Sequence, residues 1–154
     1  MGTAIIPAPG KLDMALMEYL IGTDHFTPAQ AAGIIANAKF ESGLDVSEGD
    51  SGTAKGLFHR RFDRLAGLQD FASKRGKNIG DWHTHLDYMV QELHSGGYQQ
   101  ANDTVRANQN DPRAVADAID RYYEKSSGFT TNDRRDYAAG LLSKYNQSHT
   151  TLAV

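Results

Sequence analysis

The sequence predicts a mainly α domain (α+β in detail) with one small β or loop wing. Three observations predict it. Apolar residues return at helical spacing along most of the 154-residue chain. The periodic runs are bracketed by capping residues ahead and Gly behind. One stretch, from Gly43 to Gly56, loses the period and is punctuated by Gly49, Gly52 and Gly56.

In chain order, residues 1–10 read as a flexible Pro-containing tail, 11–147 as one domain and 148–154 as a disordered tail. Residues 12–21 form the first helix, with Leu12, Leu16, Tyr19 and Leu20 on its apolar side, and 22–26 a turn. The second helix covers 27–41. Thr27 is its N-cap, Pro28 suits its first position, and Gln30 completes a capping box. Ala31, Ile34, Ile35 and Ala38 make its buried stripe, and Gly43 stops it.

After the irregular stretch, residues 62–75 form a helix around Leu65, Leu68, Phe71 and Ala72. Asp81 caps the next one, which buries Trp82, Leu86, Met89, Val90 and Leu93. A weaker helix covers 98–107. Asp111-Pro112 starts another, with Val115, Ala118, Ile119 and Tyr122 inside. Residues 133–145 close the fold through Tyr137, Leu141, Leu142 and Tyr145.

Composition excludes several functions. The chain has room for one core and not two. It holds no Cys, which removes disulfides, thiolate metal sites and thiol catalysis. The net charge of −3 supplies no overall basic field for nucleic acid or an anionic wall. Lys55, Arg60, Arg61, Arg64, Lys74, Arg75 and Lys77 do make the middle of the chain locally basic, as a cleft wall for carboxylates would be. No apolar run reaches membrane-spanning length, so no membrane insertion is expected. The N-terminus lacks a basic region ahead of an apolar one, so the expectation is a protein without a signal peptide, kept in a cytoplasm until something moves it. His83 and His85 are two residues apart and point to different faces of a helix, so no metal site is read there. No nucleotide-binding loop or nucleophile elbow is present, and no nucleic-acid partner is expected.

Glu41 is the residue that stands out. It occupies the last turn of an apolar helix, beside Phe40. The helix C-terminus carries partial negative charge and disfavours a second anion by roughly 0.3–1 kcal/mol. Partial burial acts in the same direction, so both effects favour the neutral acid. A carboxylic acid kept protonated near neutral pH can donate to a leaving group. The plain alternative is a solvated Glu that frays the helix end. Asp50 follows nine residues later across the Gly-rich loop. An inverting glycosidase needs such a second carboxylate, with room for a water between the two. Glu48 and Asp45 are its rivals, Asp45 being also a plain turn former.

The segments AAGIIANAKFESGLDV and GDSGTAKGLF, followed by an Arg-containing helix, resemble the phage tail lysozyme family of the lysozyme-like superfamily. The likeness runs from about Gly22 to Leu93 and more weakly toward Tyr145. It implies a lysozyme-like helical domain that hydrolyses the glycan strand of bacterial peptidoglycan, cutting the β-1,4 bond from N-acetylmuramic acid to N-acetylglucosamine. Glu41 is then the general acid. Asp50 and Thr53 are the candidates for placing the water, since a related phage lysozyme family shows a similar Glu-to-Asp spacing with a Thr further on. No cofactor or metal is implied. The partners implied are peptidoglycan and phage tail proteins, and the setting is a virion tail or a lysis enzyme acting at the wall.

Ser42 belongs to the matched Glu-Ser-Gly core and is assigned to the substrate with His59 and Phe58. His59 stands where the family has Gln, and Arg60 where it has Trp, which leaves Phe58 or Phe62 as candidates for the aromatic face. Of Tyr122 and Tyr123, which lie on different faces, one belongs to the core and the other lines the cleft; Tyr123 is assigned to the substrate. Two other classes share the fold: a lytic transglycosylase, and a wall-binding or structural tail protein without activity.

Overall fold

The computed structural model describes residues 10–44, 54–55, 57–58 and 60–150. Among them, seven α-helices carry the fold: α1 Lys11–Asp24, α2 Pro28–Ser42, α3 Phe62–Lys74, α4 Trp82–Leu93, α5 Gln99–Ala107, α6 Pro112–Ala118 and α7 Thr131–Thr150. A short 3-10 turn, Gly96–Tyr98, leads into α5, and a π-helical segment, Ile119–Glu124, prolongs α6. Two-residue strands, β1 Ala54–Lys55 and β2 Arg60–Arg61, pair antiparallel, Ala54 with Arg61 and Lys55 with Arg60. The domain is mainly α; of this ladder only β1 falls within the stretch 43–56 expected to form a wing, and β2 lies just beyond it.

The axis of the molecule is α2. Its start is as the sequence dictates: Gln30 N–H donates to Thr27 Oγ1 at 3.2 Å, and Thr27 N–H donates to Gln30 Oε1 at 2.9 Å. Its end is Gly43 in the left-handed region at φ 66°, with its N–H donating to the Lys39 carbonyl at 2.8 Å. Ala31, Ala32, Ile34, Ile35, Ala36 and Ala38 are all fully buried. A helix apolar on every side is one enclosed by others, and α1, α6 and α7 enclose this one.

Small residues set how closely they approach. A Cβ on Gly33 would lie 2.5 Å from Val115 Cγ1 and 2.7 Å from the Ala116 backbone nitrogen. Helix propensity favours Gly33→Ala by about 1 kcal/mol. The overlap involves backbone that cannot swing away, so overpacking outweighs propensity. We expect a net loss of about 2 kcal/mol or more, read as a melting midpoint lower by at least about 4 °C. An unchanged midpoint would show that α2 and α6 separate without cost.

Three sequence expectations are corrected. The first helix runs on to Asp24, with His25 capping it at φ 60°, so most of the expected turn is helical. Leu12 is 39% exposed, and Met17 takes the inward place instead. The cause is Asp13, itself buried: its carboxylate accepts from Gly10 N–H at 2.9 Å and from the Tyr137 hydroxyl, which fixes the rotation of α1 against α7. Burial, and then this bond to Asp13, push the Tyr137 phenol well above the ordinary tyrosine range. At the other end, α7 stays helical through Thr150, so residues 148–150 are not a loose tail. Residues 1–9 and 151–154 lie outside the described residues.

The third correction concerns the two tyrosines. Tyr123 is 1% exposed, while Tyr122 is only half-buried. A period of 3.6 from Val115 leads to Tyr122. The π-helical segment has a wider turn, i to i+5 rather than i to i+4, and brings the next residue round instead. No helix among the described residues is long and apolar enough to cross a membrane.

Candidate active site

Glu41 sits where the sequence placed it, in the last turn of α2, with a side chain 21% exposed. The arrangement beneath it comes from three other elements. Arg134, on the first turns of α7, donates from Nη2 to Glu41 Oε2 at 2.6 Å. The same guanidinium donates from Nη1 to Asn37 Oδ1 at 2.7 Å and from Nε to Thr130 Oγ1 at 2.9 Å. Asp120 of the π-helical segment lies 3.6 Å from Nη1. The Arg134 side chain is only 5% exposed and that of Asp120 only 4%.

Each member of this cluster is satisfied in its turn. Asn37 is one helical turn before Glu41 and fully buried. Its amide donates to the carbonyls of Gly33 at 2.9 Å and Ala116 at 3.0 Å, which leaves its oxygen turned to Arg134. The Asp120 carboxylate accepts from the hydroxyls of Ser126 and of Thr131, the latter at 2.7 Å. A buried ion pair holds only when its remaining donors and acceptors are met, and here they are.

For Glu41 the result is a division between its two oxygens. Oε2 is gripped by the guanidinium. Oε1 has no hydrogen-bond partner among the described residues. The sequence reading counted only the helix end and burial. Arg134, 93 residues away, was invisible to it.

The other assigned residues fall in two groups. Asp50, Thr53 and His59, with the rivals Glu48 and Asp45, lie outside the described residues. Ser42, Phe58 and Tyr123 are described, and all are buried, at 8%, 1% and 1% exposure. The Ser42 hydroxyl lies 2.8 Å from the Leu57 carbonyl and 3.0 Å from the Ala38 carbonyl, as donor, and accepts from Leu44 N–H at 3.2 Å. It ties the end of α2 to the segment between β1 and β2. Phe58 packs its ring edge-on to Tyr123, with centroids 5.7 Å apart, and the Tyr123 hydroxyl donates to Glu92 Oε1 at 2.5 Å. These three side chains are engaged inside the fold and are not presented on its surface.

The locally basic stretch is also reduced. Arg64 stacks over Tyr123 at 4.5 Å and pairs with Glu92 and Glu124. Lys74 pairs with Asp70, and Lys77 with Asp87. Arg75 lies over the Phe71 ring and donates to Gln91. These four cations have partners of their own.

The sequence reading missed Asn37, Asp120, Thr130 and Arg134. One signal was available for the first: from Ala31 to Ala38 every residue but Asn37 is Ala, Ile or Gly, and Asn37 lies four residues before Glu41. A polar side chain at that spacing in an all-buried helix must meet a partner.

A mainly α domain whose enclosed central helix ends in a partly exposed acid, held from below by a buried arginine, is of the lysozyme-like class. The chain belongs to the phage tail lysozyme family: the family model matches residues 11–145. A lysozyme-like action on the bacterial wall goes with that membership. No curated protein matches the chain.

Proposed function

We propose that the protein is a muramidase: it hydrolyses the β-1,4 bond from N-acetylmuramic acid to N-acetylglucosamine in peptidoglycan. The observation that carries this reading is the division of Glu41, with Oε2 fixed by Arg134 and Oε1 left for the proton. Glu41 protonates the glycosidic oxygen from Oε1. As it does so it becomes a carboxylate, and Arg134 is already in place to receive that charge without rearrangement, the condition under which a charged group contributes most to a transition state. Asp50, with Thr53, is assigned to placing the attacking water on the opposite side of the sugar, with His59 contacting the sugar. The setting that fits the family is a phage tail or a released lysis enzyme.

The test is product analysis. Hydrolysis leaves a reducing muramic acid end. Transglycosylation, in which the muramyl 6-hydroxyl replaces water, leaves a 1,6-anhydro end lighter by one water. Purified peptidoglycan digested with the protein should give reducing ends by mass spectrometry. Exclusively anhydro products would assign the protein to the transglycosylases. An untouched wall that still binds the protein would assign it to the inactive tail proteins.

A further inference from the structure

Phe129 is 89% exposed, and the turn that carries it is tied down on both sides. The turn joins the π-helical segment to α7. Gly128 holds φ 87° and donates its N–H to Ser126 Oγ at 3.1 Å, while Thr131 N–H donates to the Gly128 carbonyl at 3.3 Å. The hydroxyls of Ser126 and Thr131 both donate to the buried Asp120 carboxylate. Next to Phe129, the Thr130 hydroxyl accepts from Arg134 Nε, and its carbonyl accepts from Arg134 N–H at 2.9 Å.

That guanidinium is the one that grips Glu41. Thr130 Oγ1 and Glu41 Oε2 are therefore no more than about 8 Å apart, the width of one planar guanidinium plus two hydrogen bonds. Phe129 is one residue from Thr130, so its Cα lies no more than about 14 Å from that Glu41 oxygen, about the span of two or three sugar rings. Burying a Phe side chain is worth roughly 1.5–3 kcal/mol. This turn forgoes that gain while fixing the backbone beneath the ring.

The geometry points to Phe129 as a sugar-stacking platform of the glycan cleft, taking the C–H face of a pyranose ring in the strand whose glycosidic bond lies at Glu41. This rests on the reading of Glu41 as the general acid. The face of an aromatic ring is electron-rich and the C–H edges of a sugar carry partial positive charge, so the two attract as aromatic edges and faces do. The ring on its pinned turn loses little freedom on binding. A protein partner fits less well, because a specific protein interface buries about 800 Å² on each side. Among the described residues the only other exposed large apolar side chain is Leu12, on α1.

The test uses a soluble muramic acid–glucosamine hexasaccharide from peptidoglycan. Calorimetry on the Glu41→Gln protein measures binding without turnover, with and without Phe129→Ala or Phe129→Trp. Steady-state kinetics on the otherwise wild-type protein follow. Phe129→Ala should weaken binding by about 3- to 10-fold, and the loss should read in KM rather than kcat. Phe129→Trp should restore it. Melting midpoints should not move, since the side chain is exposed. Equal affinity of the Ala and Phe forms overturns the platform, as does loss of binding in both the Ala and Trp forms. A tail protein captured through Phe129 with glycan affinity unchanged would overturn it in favour of a protein contact. Failure of the underlying reading looks different: Glu41→Gln would then still cut the strand, whatever Phe129 does.

Discussion

Glu41→Gln should abolish wall lysis while leaving the protein folded. The amide has the shape of the acid, and its carbonyl oxygen can still accept from Arg134 Nη2. The guanidinium keeps its charge and its hydrogen bond stays charge-assisted, so the stability change should stay within about 1 kcal/mol, roughly 2–4 °C in melting midpoint. What disappears is the capacity of this side chain to donate a proton to a leaving group. General acid catalysis and its positioning go together here, so the loss should reach roughly three orders of magnitude or more. Turbidity clearance of purified cell walls measures the rate, and circular dichroism the fold. Near wild-type clearance by the folded variant would remove Glu41 from the chemistry.

Arg134→Ala should be the most destabilising single change among the residues of the site. It leaves the Asp120 carboxylate, 4% exposed, with two hydroxyls and no cation, and it orphans the Asn37 oxygen inside the core. Removing one partner of a buried pair typically costs about 3–5 kcal/mol, a large part of the roughly 5–15 kcal/mol that holds a domain together. The melting midpoint should fall by at least about 6 °C. Arg134→Lys separates stability from function. It keeps the charge, but a single ammonium cannot reach Asn37, Glu41 and Thr130 in one plane as the guanidinium fork does. At a temperature where that variant is folded, a carboxyl displaced by about 1 Å should cost about 10²-fold in kcat. Arg134→Ala melting with the wild type would mean that the cluster contributes nothing to the fold, and full activity in Arg134→Lys would mean that it does not position the acid.

The parts of this architecture legible in the sequence are those fixed by neighbours along the chain. Thr27, Pro28, Gln30 and Gly43 bracket α2 because caps and stops act within a turn or two. Glu41 could be singled out for the same reason, its helix end being written beside it. The rotation of α1 was not legible, because it depends on Asp13 meeting Tyr137, 124 residues away. Tyr122 and Tyr123 were exchanged because an even period of 3.6 carries no notice of a wider turn. Arg134 is one of two adjacent arginines, with nothing in its sequence neighbourhood to tell it from Arg135. Only the fold shows that it faces in, to Asn37, Asp120 and Glu41, while Arg135 beside it donates outward to Asp117.

The long separation between Glu41 and Arg134 has a consequence for the order in which the protein becomes active. Chain leaves the ribosome from its N-terminus, and α2 is made while most of the molecule does not yet exist. Its apolar sides then have α1 to pack against, but neither α6 nor α7. Glu41 spends this interval as an ordinary solvated side chain, with no guanidinium at one oxygen. Closing a loop of that length is slow relative to forming the helices within it. The acid therefore acquires its fixed geometry in the last assembly step, when α7 docks and brings Arg134 under it. A chain interrupted before α7 would carry Glu41 without the guanidinium that orients it.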